Sequence, residues 1–326
     1  MNYNVSVIVP VYNVELYIEQ CLKSIFNQTL KNIQVIIVND GSTDKSETVI
    51  NKFIGKYDNV EYINQKNQGV SISRNTALKY VKGEYVLFVD PDDYLAEDCI
   101  EKMYKKANNI DADIVISGYK KVFDDTIAGI DEDIILELNH NNIYEGKMLA
   151  EKMLELEISG YLWDKLFKKS FLDKYDFGFE PKRYVQDWYP VFKQIYHSRR
   201  VGIINEPLYY YRQRGTSTVN KNNNKLIQDF HYATSSILKY VELNNLDLDQ
   251  ESIIAFKSTT FNSLIKMYSK LNQNSKIAIY SNFNKDKFDL NEPTLLEILL
   301  CKKTTFRTKV SIILWKMRVR ALLFNC

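Results

Sequence analysis

The sequence has few of the residues that bind transition metals or form disulfides. Its 326 residues include four cysteines and three histidines, and no two cysteines are close neighbours along the chain. This spacing excludes a zinc ribbon, a CxxC redox motif and a disulfide framework, and it argues against a histidine metal site. We therefore expect a reduced, cytoplasmic protein.

Several targeting and ligand-binding signals are also missing. No stretch reaches the roughly 18 uncharged apolar residues that a membrane span needs, and the first residues lack the features of a secretion signal. The first strand is not followed by GxGxxG, and there is no GKS or GKT loop. The fingerprints of dinucleotide enzymes and P-loop NTPases are therefore absent. A net charge of +2 gives no indication of nucleic-acid binding.

The first third of the chain alternates strand and helix patterns. Short apolar runs that predict strands end at Val9, Val38, Ile63 and Val89. Apolar residues at helical spacing lie between them, and we expect Gly83 to cap a helix over residues 71–81. Continuous apolar strands separated by amphipathic helices predict an α/β fold, with a mostly parallel sheet covered by helices on both faces. A ligand is then expected at the carboxyl ends of the strands.

The later pattern divides the chain into two regions. Residues 1–219 carry the chemistry-rich segments and are predicted as one domain, with halves 1–118 and 119–219. After an Asn-rich loop, residues 220–326 show mainly helical spacing and predict a C-terminal helical region. Its last segment, 302–326, has seven basic and no acidic residues.

Polar residues cluster at three of the predicted strand ends. The first strand ends in Pro-Val-Tyr-Asn at residues 10–13, Asp40 follows the second strand, and Asp90, Asp92 and Asp93 follow the fourth. Three carboxylates within four residues suit Mg²⁺ or Mn²⁺ bound together with substrate phosphates. The alternative for the same sequence is an exposed Asp-Pro turn with a capping aspartate. Arg74 lies near the same edge, either as a ligand for a base or phosphate or as a surface cation.

Four segments resemble a known family. They read VSVIVPVYN at residues 5–13, VNDGSTD at 38–44, NQGVSISRN at 67–75 and FVDPDD at 88–93. In these motifs the chain closely resembles the family 2 glycosyltransferases with a GT-A fold. The resemblance covers the first hundred residues and continues more weakly through residues 163–168, 186–188 and 207–212.

The resemblance implies a Rossmann-like GT-A domain that binds a nucleotide-sugar, with a UDP-linked donor expected. The residues implied in the donor pocket are Pro10, Val11, Tyr12, Asp40, Asn67, Arg74 and Asp90. By the same resemblance Asp40 would read the base and Asp90 would lie near the ribose. Asp92 would hold Mn²⁺ or Mg²⁺ on the diphosphate, and Pro91 stands where the family often has serine.

The resemblance also implies a catalytic base. Asp187 matches the aspartate of the family's Glu-Asp pair, but Gln186 replaces the usual glutamate. A helix N-cap aspartate beside a core tryptophan is the alternative. One base without a protein nucleophile implies a single displacement with inversion. The QxxRW motif of processive synthases is missing, so we expect one sugar to be transferred per encounter.

Candidate acceptor contacts follow in the second half of the predicted catalytic domain. Trp163 and Trp188 would stack on a sugar face, and Lys165 would meet an acceptor phosphate, although tryptophans are more often core residues. Arg212 and Arg214 would either meet the diphosphate or flank a strand in solvent.

The basic tail predicts contact with an anionic membrane, because apolar residues and cations interleave in it. A terminal helix docked on the domain is the alternative. We therefore expect a hexosyl- or N-acetylhexosaminyltransferase on the inner face of the bacterial membrane that builds a surface polysaccharide such as a capsule. A teichoic acid or protein hydroxyl is an alternative acceptor, and a non-catalytic partner subunit is an alternative function. The sequence leaves the sugar, linkage and oligomeric state open.

Overall fold

A computed structural model of the chain describes residues 3–124, 128–214, 224–269 and 294–314. The chain divides into two units. The first unit comprises residues 1–146 and 160–217, and the second comprises residues 147–159 and 218–326. Unlike the predicted division at residue 219, this one assigns the segment 147–159 to the helical part of the chain.

The elements alternate in the first unit and are helical in the second. The first unit contains β1 (Tyr3–Val11), α1 (Ile18–Phe26), β2 (Ile33–Asn39), α2 (Ser46–Ile54), β3 (Val60–Asn64), α3 (Val70–Leu78), β4 (Gly83–Phe88), β5 (Tyr94–Leu95), α4 (Cys99–Ile110), β6 (Ile114–Phe123), β7 (Glu132–Ile134), β8 (Lys165–Lys168), α6 (Lys169–Lys174), α7 (Trp188–His197) and β9 (Val201–Gln213). The second unit contains α5 (Gly146–Leu154), α8 (Asn224–Leu243), α9 (Gln250–Ser269), α10 (Leu295–Leu300) and a helical segment over 306–314.

One side of the sheet consists of four parallel strands in the order β3-β2-β1-β4, with β3 at the edge. All seven residues of β2 are buried, because a central parallel strand is covered on both faces and so reads as a continuous apolar run. The chain moves outward from β1 to β3 and then returns to place β4 on the other side of β1. This reversal lies where β1 and β4 end, the position at which open α/β sheets bind ligands.

Beyond β4 the sheet becomes mixed. Strand β8 pairs antiparallel with both β4 and β6, and β6 then pairs parallel with β9. The short strands β5 and β7 pair antiparallel with β9 and β6. The predicted α/β fold with a C-terminal helical region is confirmed, and its parallel part carries the predicted strand ends.

Helix α1 buries the apolar residues that recur at helical spacing in its sequence. Ile18, Cys21, Leu22 and Ile25 recur at helical spacing, and all four are buried against the sheet. Leu16 fits the same spacing in the sequence but lies before the helix and is exposed.

Gly83 was predicted as a helix cap, and this prediction is wrong. Helix α3 ends at Leu78, and Gly83 is the first residue of β4. A Cβ atom at Gly83 would lie 2.5 Å from the backbone nitrogen of Ser6 in β1. The backbone N–H of Gly83 also donates to Oγ of Ser6 at 2.8 Å. Close packing of two strands therefore requires glycine here.

The second unit has its own small apolar core. It consists of Ile227, Phe261, Leu264, Ile298 and Ile312. Beside it, Nζ of Lys303 contacts carboxylate oxygens of Glu155 at 2.6 Å and Asp249 at 2.7 Å. In the described part of the chain, no helix combines the length and the apolar character needed to cross a membrane.

We expect Gly83→Ala to lower the free energy of unfolding by roughly 1–3 kcal/mol, because the new methyl group must push two paired strands apart. Chemical denaturation would measure this change. Gly55→Ala is the matched control, since no atom lies within 4 Å of a Cβ built there and its φ of −77° suits any residue. Equal stability of the two variants would contradict this account of Gly83.

Candidate active site

Asp40 organises the loop that follows β3. It is buried, and its backbone N–H donates to the carbonyl of Val11 at 2.8 Å. Its carboxylate accepts from Nε2 of Gln65 at 2.7 Å and from the backbone N–H groups of Gln68 at 3.0 Å and Gly69 at 2.7 Å. Asp40 therefore fixes the turn before α3. Its predicted contact with a nucleotide base stays a prediction.

Gly41 allows two strand ends to approach each other. Its φ is +71°, which favours glycine, and a Cβ atom there would lie 2.9 Å from the backbone nitrogen of Asn67. Asn67 is exposed, as is Tyr12 at 47% of its surface, whereas Pro10 and Val11 are buried in β1. In the predicted donor pocket, Tyr12 and Asn67 therefore offer side chains to a ligand, while Pro10 and Val11 contribute backbone and shape.

Arg74 and Asp90, two of the residues predicted in the donor pocket, contact each other directly. The side chain of Arg74 points inward from α3 and is only 3% exposed, and its Nη2 lies 2.5 Å from Oδ1 of Asp90. The guanidinium carbon lies 5.5 Å from the ring centroid of Phe179. The sequence offered a base or phosphate ligand and a surface cation as alternatives, and the burial of Arg74 rules out the second.

The acidic loop after β4 is tied to the end of β9. Tyr209 donates its hydroxyl to Oδ2 of Asp93 at 2.8 Å and accepts from the backbone N–H of Asp90 at 3.1 Å. The backbone N–H of Arg212 donates to Oδ1 of Asp93 at 2.8 Å. Burial raises the pKa of Asp93 well above its usual range, and the charges of Asp92 and Asp90 act in the same direction. Asp93 is therefore a structural anchor.

Two arginines at the end of β9 contact Asp92. Arg214 forms an ion pair with Oδ2 of Asp92, and Nε of Arg212 donates to its backbone carbonyl at 2.9 Å. Both guanidinium groups also lie over the ring of Tyr17, at 5.2 Å for Arg212 and 5.0 Å for Arg214. These contacts with the acidic loop argue against a solvated strand flank for both arginines, and their predicted contact with the diphosphate stays a prediction.

Asp187 occupies the N-cap position of α7, as the alternative to a catalytic base has it. Within the described part of the chain, however, its side chain makes no capping hydrogen bond to that helix. Removal from water raises the pKa of Asp187 to about 6. The positive charges of Arg74 and Lys165 oppose this shift, whereas the charge of Asp90 adds to it. These couplings relate Asp187 electrostatically to the Arg74–Asp90 pair.

The predicted acceptor residues lie in three different settings. Trp163 is buried between the rings of Tyr161 and Tyr209, with centroids 4.8 Å and 4.3 Å away. Lys165 has no exposed surface and donates to Oδ1 of Asp164 at 2.7 Å. This placement favours a structural role for both residues. Trp188 is only partly buried, so its predicted stacking on a sugar stays open.

Glycine at position 160 makes room for Trp188. A Cβ atom there would lie 2.7 Å from Cδ1 of the indole ring. The backbone at Gly160 therefore packs directly against the ring of Trp188, the residue that follows the predicted base Asp187.

The residues of the acidic loop fit a divalent cation. Asp90 and Asp92 supply hard oxygen ligands, and each engages an arginine through one carboxylate oxygen. Burial raises the pKa of Asp92, which a bound cation would counteract. Among the described residues, no group of three or more His, Cys, Asp or Glu side chains is arranged to hold a metal ion. A divalent cation at this loop would need further oxygen ligands, and a bound substrate could supply them.

Sequence reasoning missed three residues of this arrangement. The aspartate that anchors the loop, Asp93, was treated as one of an acidic triplet, and its partner Tyr209 was not singled out within the segment 207–212. Gln186 was noted only as a departure from the family pattern, yet its amide oxygen accepts from Nη1 of Arg74 at 2.7 Å. No local signal predicts these contacts, because the partners lie far apart along the chain.

Comparisons with known proteins agree with the fold and the position of the motifs. Residues 6–162 match the family model of glycosyl transferase family 2. The Bacillus subtilis protein EpsH is 33% identical over 227 residues, which cover 69% of this chain and 65% of EpsH. The minor teichoic acid biosynthesis protein GgaB of the same species is 35% identical over 243 residues, which cover 69% of this chain and 26% of GgaB.

A solved structure has the same fold. S. aureus TarS 1-349 in complex with UDP-GlcNAc has a TM-score of 0.66 and 21% identity, and covers 85% of this chain and 78% of that chain. The alignments with both curated relatives stop short of two thirds of those proteins' own lengths, at 65% of EpsH and 26% of GgaB.

Proposed function

Because the chain belongs to glycosyl transferase family 2, we propose that it is an inverting, metal-dependent glycosyltransferase. Its donor is a nucleotide-sugar, and a UDP-linked sugar is favoured because S. aureus TarS, with a similar fold, binds UDP-GlcNAc. Its acceptor is a hydroxyl group of a bacterial cell-surface glycan or of a lipid-linked oligosaccharide. In this proposal the catalytic domain spans residues 1–219, apart from the segment 147–159, which belongs to the second unit, and the described part of residues 220–326 is the helical region.

The single observation that carries this proposal is the position of Arg74. Its guanidinium contacts Asp90, which is expected beside the ribose of the donor. The same charge acts on Asp187, the proposed base. One buried side chain thus relates the donor side of the site to a carboxylate whose pKa of about 6 suits proton transfer near neutral pH.

The reaction needs little covalent chemistry from the protein. The acceptor hydroxyl oxygen attacks the anomeric carbon while the bond from that carbon to the diphosphate oxygen breaks. Asp187 takes the proton of the hydroxyl. With one carboxylate as base and no protein nucleophile, the configuration at the anomeric carbon inverts. Arg212 and Arg214 lie beside Asp92 and can neutralise charge that develops on the diphosphate.

Asp92 would hold Mn²⁺ or Mg²⁺, with Asp90 beside it. A bound divalent cation supplies charge stabilisation for the leaving diphosphate. Arg214 would share Asp92 with such a cation, because it already engages one of the carboxylate oxygens.

A teichoic acid acceptor is the second candidate function. The observation that favours it is the 35% identity to GgaB, a minor teichoic acid biosynthesis protein. A protein hydroxyl has no comparable support. A non-catalytic partner subunit is a third reading, for which Gln186 in place of the family's glutamate is the only argument.

A peripheral contact with the inner face of the membrane would suit a lipid-linked acceptor. In the second unit, apolar side chains of α10 and of the segment 306–314 face outward, including Leu296 at 66%, Leu300 at 68% and Phe306 at 82% exposure. Arg307 lies next to them and is exposed. We propose that this surface binds anionic lipid, because the sequence from 302 to 326 has seven basic and no acidic residues.

Part of the predicted tail contact needs correction. Ile312 is one of the apolar residues of the tail that was predicted to contact the membrane, but it is buried in the core of the second unit. Lys303 is paired with Glu155 and Asp249 rather than turned toward a headgroup. Residues 315–326, including Lys316, lie outside the described residues.

A panel of UDP-, GDP- and dTDP-sugars tests the enzymatic function. We expect turnover with one nucleotide class, measured as release of the nucleoside diphosphate in the presence of Mn²⁺, and a loss of at least tenfold with excess chelator. Full activity in chelator would remove the cation from the proposal. Binding of a donor without any turnover, across glycan, teichoic acid and peptide acceptors, would favour the non-catalytic subunit.

Asp187→Asn should lower kcat by roughly 10²–10⁴-fold, because the amide cannot accept the proton, and should leave the Kd of the donor within about twofold. In the wild-type protein, the ionised carboxylate is the active form. The rate should therefore fall as the pH decreases through about 6. Asp58→Asn, at an exposed turn position, is the control. Wild-type turnover in Asp187→Asn would contradict its assignment as base.

Replacing Leu296, Leu300 and Phe306 together by serine should weaken binding to phosphatidylglycerol vesicles at least tenfold, because each substitution removes an exposed apolar side chain. Co-sedimentation measures this binding, with neutral phosphatidylcholine vesicles for comparison. Ile130→Ser is the control, because Ile130 is 88% exposed in the first unit. Unchanged co-sedimentation of the triple variant would rule out this surface as the membrane contact.

A further inference from the structure

Gln186 lies between the backbone of its own segment and the guanidinium of Arg74. Its amide nitrogen donates to the carbonyls of Tyr184 at 2.6 Å and Arg183 at 3.0 Å, and its oxygen accepts from Nη1 of Arg74 at 2.7 Å. The orientation of the amide is assigned from these partners, since the reverse orientation would place acceptors against acceptors. All three of these contacts need an uncharged side chain that both donates and accepts.

Arg74 has two directional contacts, and Gln186 supplies one of them. Nη2 is held by Asp90 at 2.5 Å, and Nη1 by Gln186 at 2.7 Å. Within the described part of the chain, its buried Nε has no hydrogen-bond partner. The plane of the guanidinium is therefore fixed by one bond toward the donor side and one bond toward the segment that carries Asp187. Loss of either bond would let a buried cation reorient.

The absence of charge on Gln186 matters because several charged groups surround its neighbour Asp187. Arg74 from α3 and Lys165 from β8 favour the ionised carboxylate, while Asp90 after β4 opposes it. A glutamate at position 186 would add a second anion to Arg74 and a like charge beside the base. The positive charge of Arg74 would then be shared by two carboxylates in direct contact.

We propose that Gln186 is a positioning residue of the transfer reaction, which orients Arg74 between Asp90 and Asp187 and leaves its positive charge available to the base. This inference rests on the proposed glycosyl transfer. It adds a role for Gln186, the residue that replaces the family's usual glutamate. Gln186 is not expected to touch the reacting atoms.

The pH profile of Gln186→Glu tests the charge argument. We expect the acidic limb of kcat to move upward by about one pH unit, which lowers the rate roughly fivefold at pH 6 and changes it less than twofold at pH 8. Asn51→Asp, at an exposed position on α2, adds a charge without these contacts and should leave the limb unchanged. A merely structural role would lower the rate equally at all pH values.

Gln186→Leu tests the positioning argument and also serves if Gln186→Glu does not fold. It removes the acceptor of Arg74 without adding charge, so we expect the KM of the donor to rise roughly tenfold, as for a lost hydrogen bond to a charged group. Thermal unfolding of each variant is measured in parallel. An unchanged donor KM in folded Gln186→Leu would contradict the positioning role.

The outcomes separate the inference from the function on which it rests. A wild-type protein that transfers no sugar from any donor contradicts the proposed function and the inference together. An active wild-type protein whose acidic limb is the same in Gln186→Glu contradicts the inference alone.

Discussion

The candidate site depends on the burial of one positive charge. Arg74 is almost completely removed from water, and a buried cation is costly unless an anion and hydrogen-bond acceptors compensate it. Asp90 and Gln186 supply this compensation from two distant parts of the chain. The fold therefore cannot close around Arg74 without bringing the end of β4 and the start of α7 to the same place. The contacts that make the burial of Arg74 energetically acceptable are therefore the same contacts that form the candidate site.

A second tie holds the acidic loop. Asp93 and Tyr209 are 116 residues apart in the sequence and form a buried hydrogen bond. Because Asp93 uses both carboxylate oxygens inside the protein, the neighbouring Asp90 and Asp92 keep defined positions. One member of an acidic triplet thus serves structure and the other two remain for ligand chemistry. Such a division cannot be seen in the letters Asp-Pro-Asp-Asp.

The sequence predicted the parallel part of the sheet because buried parallel strands produce continuous Val- and Ile-rich runs, as in β2. It did not predict β8, whose four residues begin and end with lysine and whose pairing depends on tertiary context. Gly83 was misread for a similar reason, since its role comes from the neighbouring strand and not from the preceding helix. Asp40, Arg74 and Asp90 were candidates because of their positions at or near the ends of predicted strands, and Asp187 was a candidate through the family resemblance. The partners that orient them lie far away along the chain and could not be predicted from the sequence.

The position of β8 has a consequence for how the first unit is assembled. This strand, which comes from the second half of that unit, lies between β4, which the first half contributes, and β6, whose residues Ile114–Phe123 span the boundary between the two halves. The two halves are thus interwoven rather than joined end to end. A recombinant exchange of one half for that of a homologue would replace an internal strand of the sheet.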